Sequence, residues 1–73
     1  MTKLPRVSGS EVVAALNSID FYVRRQQGRH IILRRDDPFA QVVVPNHKEL
    51  DTGTLRAIIR QVGVSVDEFK SLP

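Results

Sequence analysis

The stretch from Phe21 to Arg35 constrains the fold most strongly, because it predicts a β-hairpin. Two segments with β-branched or aromatic residues, FYVRRQ (21–26) and HIILRR (30–35), are separated by the residues QGR (27–29). A three-residue loop that contains glycine is a common connection between antiparallel strands. The sequence therefore predicts two paired strands that turn around Gly28.

The register of this hairpin assigns its side chains to two faces. In the predicted register Gln26 pairs with His30, which places Arg24 opposite Ile32, and side chains then alternate between the faces. The face predicted to be buried carries Phe21, Val23, Ile31 and Leu33. The face predicted to be open carries Tyr22, Arg24, Gln26, His30, Ile32 and Arg34. The open face is therefore basic, with one aromatic ring and one histidine.

A helix is predicted before the hairpin. Ser8 and Glu11 have the spacing of a capping box, in which each side chain bonds a free backbone N–H at the helix start. Apolar residues then recur at helical spacing at Val12, Leu16 and Ile19. These three residues form the predicted buried stripe of this helix.

The rest of the chain predicts a third strand and two helical segments. AQVVV (40–44) predicts a strand that Pro45 stops. A second helix is predicted over 51–63, with Asp51 or Thr52 as its cap and Gly63 at its end. Its apolar stripe consists of Leu55, Ile58, Ile59 and Val62. A second capping box then opens a short terminal helical turn, at Ser65 and Glu68.

These elements predict one small α+β domain over residues 1–73, in the order α-β-β-β-α followed by the helical turn. A three-stranded antiparallel sheet with two helices on one face is the simplest arrangement that buries the apolar stripes. There is no cysteine, no apolar run long enough to cross a bilayer, and no apolar segment typical of a signal peptide at the start. We therefore expect a cytoplasmic protein that does not enter a membrane.

The positive charge is concentrated in the predicted hairpin. The net charge is only +3, but five arginines fall between residues 24 and 35: Arg24, Arg25, Arg29, Arg34 and Arg35. Such a cluster is typical of a surface that binds a polyanion. It is equally typical of an edge strand that uses charge to avoid aggregation, and composition does not separate the two.

His30 is the best candidate for chemistry in this basic region. RNA cleavage needs only a base for the 2′-hydroxyl proton and cations for the charge that develops on the phosphate. Imidazole exchanges protons near neutral pH, and arginine presents donors that fit phosphate oxygens. The alternative is an exposed strand histidine with no chemical role. We recognise no carboxylate pair, metal-ligand set or phosphate-binding glycine loop, so we expect neither metal nor cofactor.

The other candidate residues each have a structural alternative. Gly28 suits the backbone of the turn, and its lack of a side chain would also let RNA approach. Tyr22 could stack on a base or simply pack at the sheet edge. His47 lies in the loop NHKELD, where it could contact RNA or bond to the start of the second helix.

Four segments resemble the HicA family of mRNA interferase toxins, and together they cover nearly the whole chain. KLPRVSGSEVVAALNSIDF resembles the opening helix of the family, and GRHIIL lies where the family has its Gly-Ser-His-His hairpin. VVVPNH resembles the V-P-x-H segment, and GTLRAIIRQVGVSVDEF resembles the Gly-Thr-Leu helix with the closing segment. Each segment is weak alone, but their order and spacing are specific to the family.

This resemblance implies a fold like that of double-stranded-RNA-binding domains and a metal-independent endoribonuclease that acts on mRNA. It implies a HicB-type antitoxin as partner, in a toxin–antitoxin hetero-oligomer. The catalytic histidine of the family corresponds to His30, its hairpin glycine to Gly28, and the histidine of its V-P-x-H segment to His47. We expect RNA contacts from Tyr22, Arg24, Gly28, Arg29, Arg34 and His47.

The sequence departs from the family pattern at three positions. Arg29 replaces the family serine, Ile31 replaces the second histidine, and Asp20 replaces the usual glycine at the end of the first helix. In the predicted register Ile31 points toward the core, so the lost histidine would not lie on the open face. Two alternatives follow: a module that binds RNA without cutting it, or a degenerate toxin of the same fold. A third is a protein-interaction domain without RNA affinity.

Overall fold

The computed structural model describes Leu4 and residues 6–73. Within these residues, three helices and three strands follow one another in the predicted order. Their bounds are α1 (Gly9–Asn17), β1 (Tyr22–Gln27), β2 (His30–Asp36), β3 (Phe39–Pro45), α2 (Thr52–Val62) and α3 (Val66–Lys70). This order confirms the predicted α+β fold, with α3 as the short terminal helix. Among the described residues, no helix is both long enough and apolar enough to cross a membrane.

Each helix begins at a side chain that accepts a backbone hydrogen bond. Ser8 caps α1 and Ser65 caps α3, and both capping boxes are complete, which confirms the prediction. Asp51, one of the two predicted candidates, caps α2. Gly63 ends α2 with a φ of 88°, and Asp20 follows α1 with a φ of 73°. Both positions therefore use the left-handed backbone that helix ends favour.

The sheet has the order β1-β2-β3, with both pairs antiparallel and β2 in the centre. One apolar cluster lies between the sheet and the helices. Its members are Val12, Ala15, Leu16, Phe21, Ile31, Leu33, Val42, Val44, Leu50, Leu55, Ile58, Ile59, Val62 and Phe69. The four stripe residues of α2 are all in this cluster, as predicted, whereas Ile19 of the α1 stripe is only half-buried. Both long helices therefore cover one face of the sheet and leave the other face uncovered.

The predicted hairpin register is wrong near the turn. Gln27 pairs with His30 and Gln26 pairs with Ile31, so the loop has two residues instead of three. Farther from the turn, Val23 pairs with Leu33 as predicted, because a β-bulge between Val23 and Arg25 restores the register. Gln26 therefore lies on the helix-facing side of the sheet and not on the open side.

The prediction that Val23 is buried is also wrong. Val23 lies opposite the fully buried Leu33 and so shares the helix-facing side, but 46% of it is exposed. All six residues of β1 are exposed, because the helices cover the centre and the β3 side of the sheet more fully than this edge. Strand alternation alone does not reveal how far the covering layer extends.

Candidate functional site

The uncovered side of the sheet, here called the open face, carries alternate residues of all three strands. The register places on it Tyr22, Arg25, Gln27, His30, Ile32, Arg34, Asp36, Phe39, Gln41, Val43 and Pro45. The residues that alternate with them on β2 and β3 face the helices and include the buried Ile31, Leu33, Val42 and Val44. The open face is thus a mixed surface of cationic, apolar and amide side chains.

His30 is the first residue of β2 and lies at one end of the open face. It is exposed, and it pairs with Gln27 on one side and with Pro45 on the other. Since β2 is the central strand, the backbone of His30 is held by neighbours on both sides. The backbone of His30 is therefore held in place by the central strand, and its side chain is accessible.

The β-bulge brings Arg25 to the open face beside His30. Arg25 pairs with Ile32, which lies two residues after His30, so Arg25 and His30 are diagonal neighbours across β1 and β2. Diagonal positions are about 7–8 Å apart, within reach of an arginine side chain. Arg24 is the extra residue of the bulge, so two consecutive arginines lie opposite the single residue Ile32.

Arg25 is a candidate residue that strict strand alternation missed. Alternation places two consecutive arginines on opposite faces, which would turn Arg25 toward the helices. A bulge lets both arginines avoid the core. The adjacent charges at positions 24 and 25 could have indicated this bulge, because neither side chain is readily buried without a partner.

The turn and the segment after β3 meet at the same end of the sheet as His30. The amide of Asn46 donates a hydrogen bond to the carbonyl oxygen of Arg29 over 2.6 Å. The amide of Gly9 donates to the carbonyl oxygen of His47 over 2.8 Å. The loop that contains His47 is therefore bonded to the hairpin turn on one side and to the start of α1 on the other. The exposed side chain of His47 follows two residues after the strand partner of His30.

Gly28 has a φ of 56°, and a Cβ atom built on it would have no neighbour within 4 Å. The turn therefore requires glycine for its backbone conformation and not for lack of space. The same openness leaves the backbone of the turn accessible. The exposed Arg29 follows it directly in the turn.

Tyr22 and Arg34 lie at the other end of the open face. They pair with each other, and Arg34 is four residues along β2 from His30, which corresponds to about 13 Å. The Tyr22 hydroxyl donates to the Asp36 carboxylate at 3.1 and 3.2 Å, and Arg34 Nε donates to the same carboxylate at 2.8 Å. The structure thus separates the predicted RNA-contact residues into a histidine end and a tyrosine end.

Ile31 is 7% exposed and packs in the core, as the prediction required. The Ile31 side chain therefore takes no part in the open face. Within the described part of the chain, no group of three or more His, Cys, Asp or Glu residues is placed to hold a metal ion.

The chain is thus a small α+β protein with helices on one face of its sheet and an exposed histidine among arginines on the other face. A family model described as HicA toxin of bacterial toxin-antitoxin matches residues 9–64 of the 73. The chain therefore belongs to the HicA toxin family, and the resemblance noted from its segments is confirmed. As such a toxin it has a cognate antitoxin as partner. No curated protein matches the chain.

Proposed function

We propose that this toxin is an mRNA interferase, an endoribonuclease that cleaves mRNA in the cytoplasm and so inhibits translation. The observation that carries the proposal is the position of His30: exposed on the open face, and one diagonal step from Arg25. Membership of the HicA family supports it, since toxicity requires an essential target and mRNA is one.

The proposed reaction uses the nucleophile that RNA itself supplies. The His30 imidazole takes the proton of the 2′-hydroxyl while the 2′-oxygen attacks the adjacent phosphorus. The bond between phosphorus and the 5′-oxygen breaks, and the 5′-oxygen takes up a proton from water. The products are a 2′,3′-cyclic phosphate and a 5′-hydroxyl end. This route needs neither a metal ion nor a cofactor.

Arginines near His30 stabilise the negative charge that develops on the phosphate. Arg25 lies diagonal to His30, Arg24 is its neighbour in the bulge, and Arg29 precedes His30 in the turn. A guanidinium presents a planar fork of donors that fits two phosphate oxygens. The open backbone at Gly28 lets the RNA chain approach, and His47 contacts RNA from the neighbouring loop.

Tyr22 and Arg34 contact a more distant part of the RNA. Arg34 contributes less charge than the arginines near the turn, because Asp36 already pairs with it at 2.8 Å. The ring of Tyr22 is 41% exposed, while its hydroxyl is engaged by the same carboxylate. These two residues therefore hold RNA without taking part in the reaction.

A HicB-type antitoxin inhibits the toxin by covering the open face in a hetero-oligomer. The open face offers such a partner both charge and exposed apolar surface. A protein seated there would exclude RNA from His30.

The test is cleavage of labelled single-stranded RNA in EDTA by the wild type, by His30→Ala and by the matched control His47→Ala. We expect the wild type to cut and His30→Ala to be slower by about 100-fold or more, the usual contribution of a general base. His47→Ala should weaken RNA binding and keep the chemical step. Circular dichroism checks that each variant folds, and the ends of the products identify the cyclic phosphate. Full activity of a folded His30→Ala, or loss of wild-type activity in EDTA alone, would contradict the proposal.

A second candidate is supported by Arg29, which stands where the family has serine and directly precedes His30. Under this alternative the chain binds RNA without cutting it, as a binding module or a degenerate toxin. RNA affinity in the wild type without any cleavage would favour this alternative, and restoration of cleavage by Arg29→Ser would identify a degenerate toxin.

A further inference from the structure

We propose that Phe39 forms a base-stacking subsite for single-stranded RNA, at the opposite end of the open face from His30. The inference rests on the proposed RNA cleavage and deepens it, because it assigns RNA contact to a residue with no role in that reaction. Four observations carry it: exposure, ring support, a neighbouring aromatic ring and distance from the histidine.

Phe39 is the most exposed large hydrophobic residue among those the structure describes, with 65% of it accessible. It is the first residue of β3 and pairs with Asp36, which places it on the open face. An exposed aromatic ring on a sheet face has a cost in water that a stacked base would remove. Every base has a π-face, so such a platform accepts bases without regard to sequence.

The ring of Phe39 is supported from one side by Arg34. The Cζ atom of Arg34 lies 5.2 Å from the ring centroid, in a cation–π contact. Arg34 itself is held by its 2.8 Å hydrogen bond to Asp36. A ring that is already oriented loses less freedom when a base stacks on it.

Tyr22 adds a second ring to this end of the face. It pairs with Arg34 across the strands, and its hydroxyl is fixed by the Asp36 carboxylate at 3.1 Å. The Asp36 charge is thereby engaged by a guanidinium and a hydroxyl, which reduces its repulsion of nearby phosphates. The Asp36 carboxylate holds the Tyr22 ring and the Arg34 guanidinium, and the guanidinium in turn lies over the Phe39 ring. These groups form a surface suited to flat π-systems.

The distance to the histidine sets the length of RNA that can use both ends. Phe39 lies six residues along β3 from Pro45, the strand partner of His30, which corresponds to about 20 Å. A single strand that keeps its bases stacked, with a rise of about 3.4 Å per nucleotide, covers this distance with about six nucleotides, and an extended strand covers it with about three or four. A duplex hides its base faces, so only a single strand can stack on Phe39.

The first experiment measures RNA binding in a His30→Ala background, where the RNA is not consumed. Phe39→Ala should weaken the affinity for a single strand of about 12 nucleotides by about tenfold, within the range for one stacked base. The dependence of affinity on salt should not change, because no phosphate contact is lost. Phe39→Trp should keep the affinity. Val43→Ala, which shortens another exposed apolar side chain of the same strand, is the matched control and should change little.

The second experiment compares substrates of different length with active protein. On RNA of about 12 nucleotides, Phe39→Ala should raise KM about tenfold and leave kcat unchanged. On a dinucleotide, which is too short to reach from His30 to Phe39 even when extended, the variant should equal the wild type.

Wild-type cleavage with no effect of Phe39→Ala on affinity or KM would overturn this inference alone. An equal loss in Val43→Ala would also overturn it, since it would show general apolar contact and not stacking. Loss of antitoxin binding with RNA affinity intact would assign Phe39 to the protein partner instead. A wild type that neither binds nor cuts RNA would overturn the proposed function together with the subsite.

Discussion

Gly9 is the residue at which α1 comes closest to the end of the sheet. A Cβ atom at this position would overlap the carbonyl oxygen of Pro45 and press on the Cα atom of Asn46. The Gly9 amide also donates to the carbonyl oxygen of His47 over 2.8 Å. Because Gly9 has no side chain, the start of α1 can approach the loop that contains His47 and hold it in place.

Gly9→Ala should lower the free energy of unfolding by about 1–3 kcal/mol, the usual cost of forcing atoms into an occupied space. Gly53→Ala is the matched control, because its Cβ would meet only a carboxylate oxygen of the exposed Asp51, at 3.3 Å. The control should lose clearly less stability than Gly9→Ala, because only the side chain of Asp51 has to shift and no backbone atom is in the way. Equal losses in the two variants would show that the close approach at Gly9 is unimportant.

Helix α2 depends on a charged cap. One carboxylate oxygen of Asp51 accepts the Thr54 hydroxyl at 2.7 Å, and the other accepts the Thr54 amide at 3.0 Å. These bonds favour the ionised form, so the pKa of Asp51 is lowered below its ordinary value of 3.8. The helix is thus capped most strongly when this carboxyl is ionised.

The lowered pKa gives the stability of α2 a defined dependence on pH. Because the folded pKa lies below the unfolded value of 3.8, the contribution of Asp51 is present above that value and is lost as the pH falls through the folded pKa. Asp51→Asn keeps a good cap but does not titrate. Unfolding free energies measured from about pH 5 downward should therefore fall less steeply in this variant than in the wild type. Identical slopes would contradict the role of the carboxylate.

The helix ends could be predicted from the sequence, because their chemistry is local. A capping box involves residues three apart, so Ser8 with Glu11 and Ser65 with Glu68 are recognisable without knowledge of the fold. The hairpin turn was predicted one residue too long, because its register depends on pairing across the whole strand. The bulge at Arg24 balances the shorter loop, and no local signal fixes how these two features combine.

Across the protein surface, the distribution of charge matters more than its sum. The net charge is +3, while the open face gathers arginines from the bulge and from β2. Arg56 and Arg60 are also exposed, but they lie on α2, whose apolar stripe packs against the other side of the sheet. The chain therefore offers two arginine pairs of equal charge on opposite sides of the sheet.

These pairs provide a matched test of the RNA-binding surface. The double variant Arg24→Gln, Arg25→Gln should weaken RNA binding and reduce the slope of log affinity against log salt by about 1.4, about 0.7 for each lost phosphate contact with a single strand. The double variant Arg56→Gln, Arg60→Gln changes the net charge equally and should leave that slope unchanged. Equal effects would show that RNA responds only to total charge and would remove the case for the open face.

The candidate site could be predicted only in part from the sequence. His30 could be identified from its arginine neighbours and from the family resemblance, and the structure places it on the open face as expected. The separation of Tyr22 and Arg34 from it follows from strand geometry, since each residue advances the chain by about 3.3 Å. Their engagement by Asp36 depends on side-chain positions, which a pattern of residue types does not specify.

The bulge at Arg24 also affects how the chain behaves in a concentrated solution. β1 is an edge strand whose residues are all exposed, and an unbroken edge of this kind is a template for pairing with another chain. The bulge interrupts the ladder of free backbone groups, and two arginines at the same point repel an identical strand. A toxin released from its antitoxin is thereby protected against edge-to-edge aggregation, and the same irregularity that places cations beside His30 helps to keep the free chain dispersed.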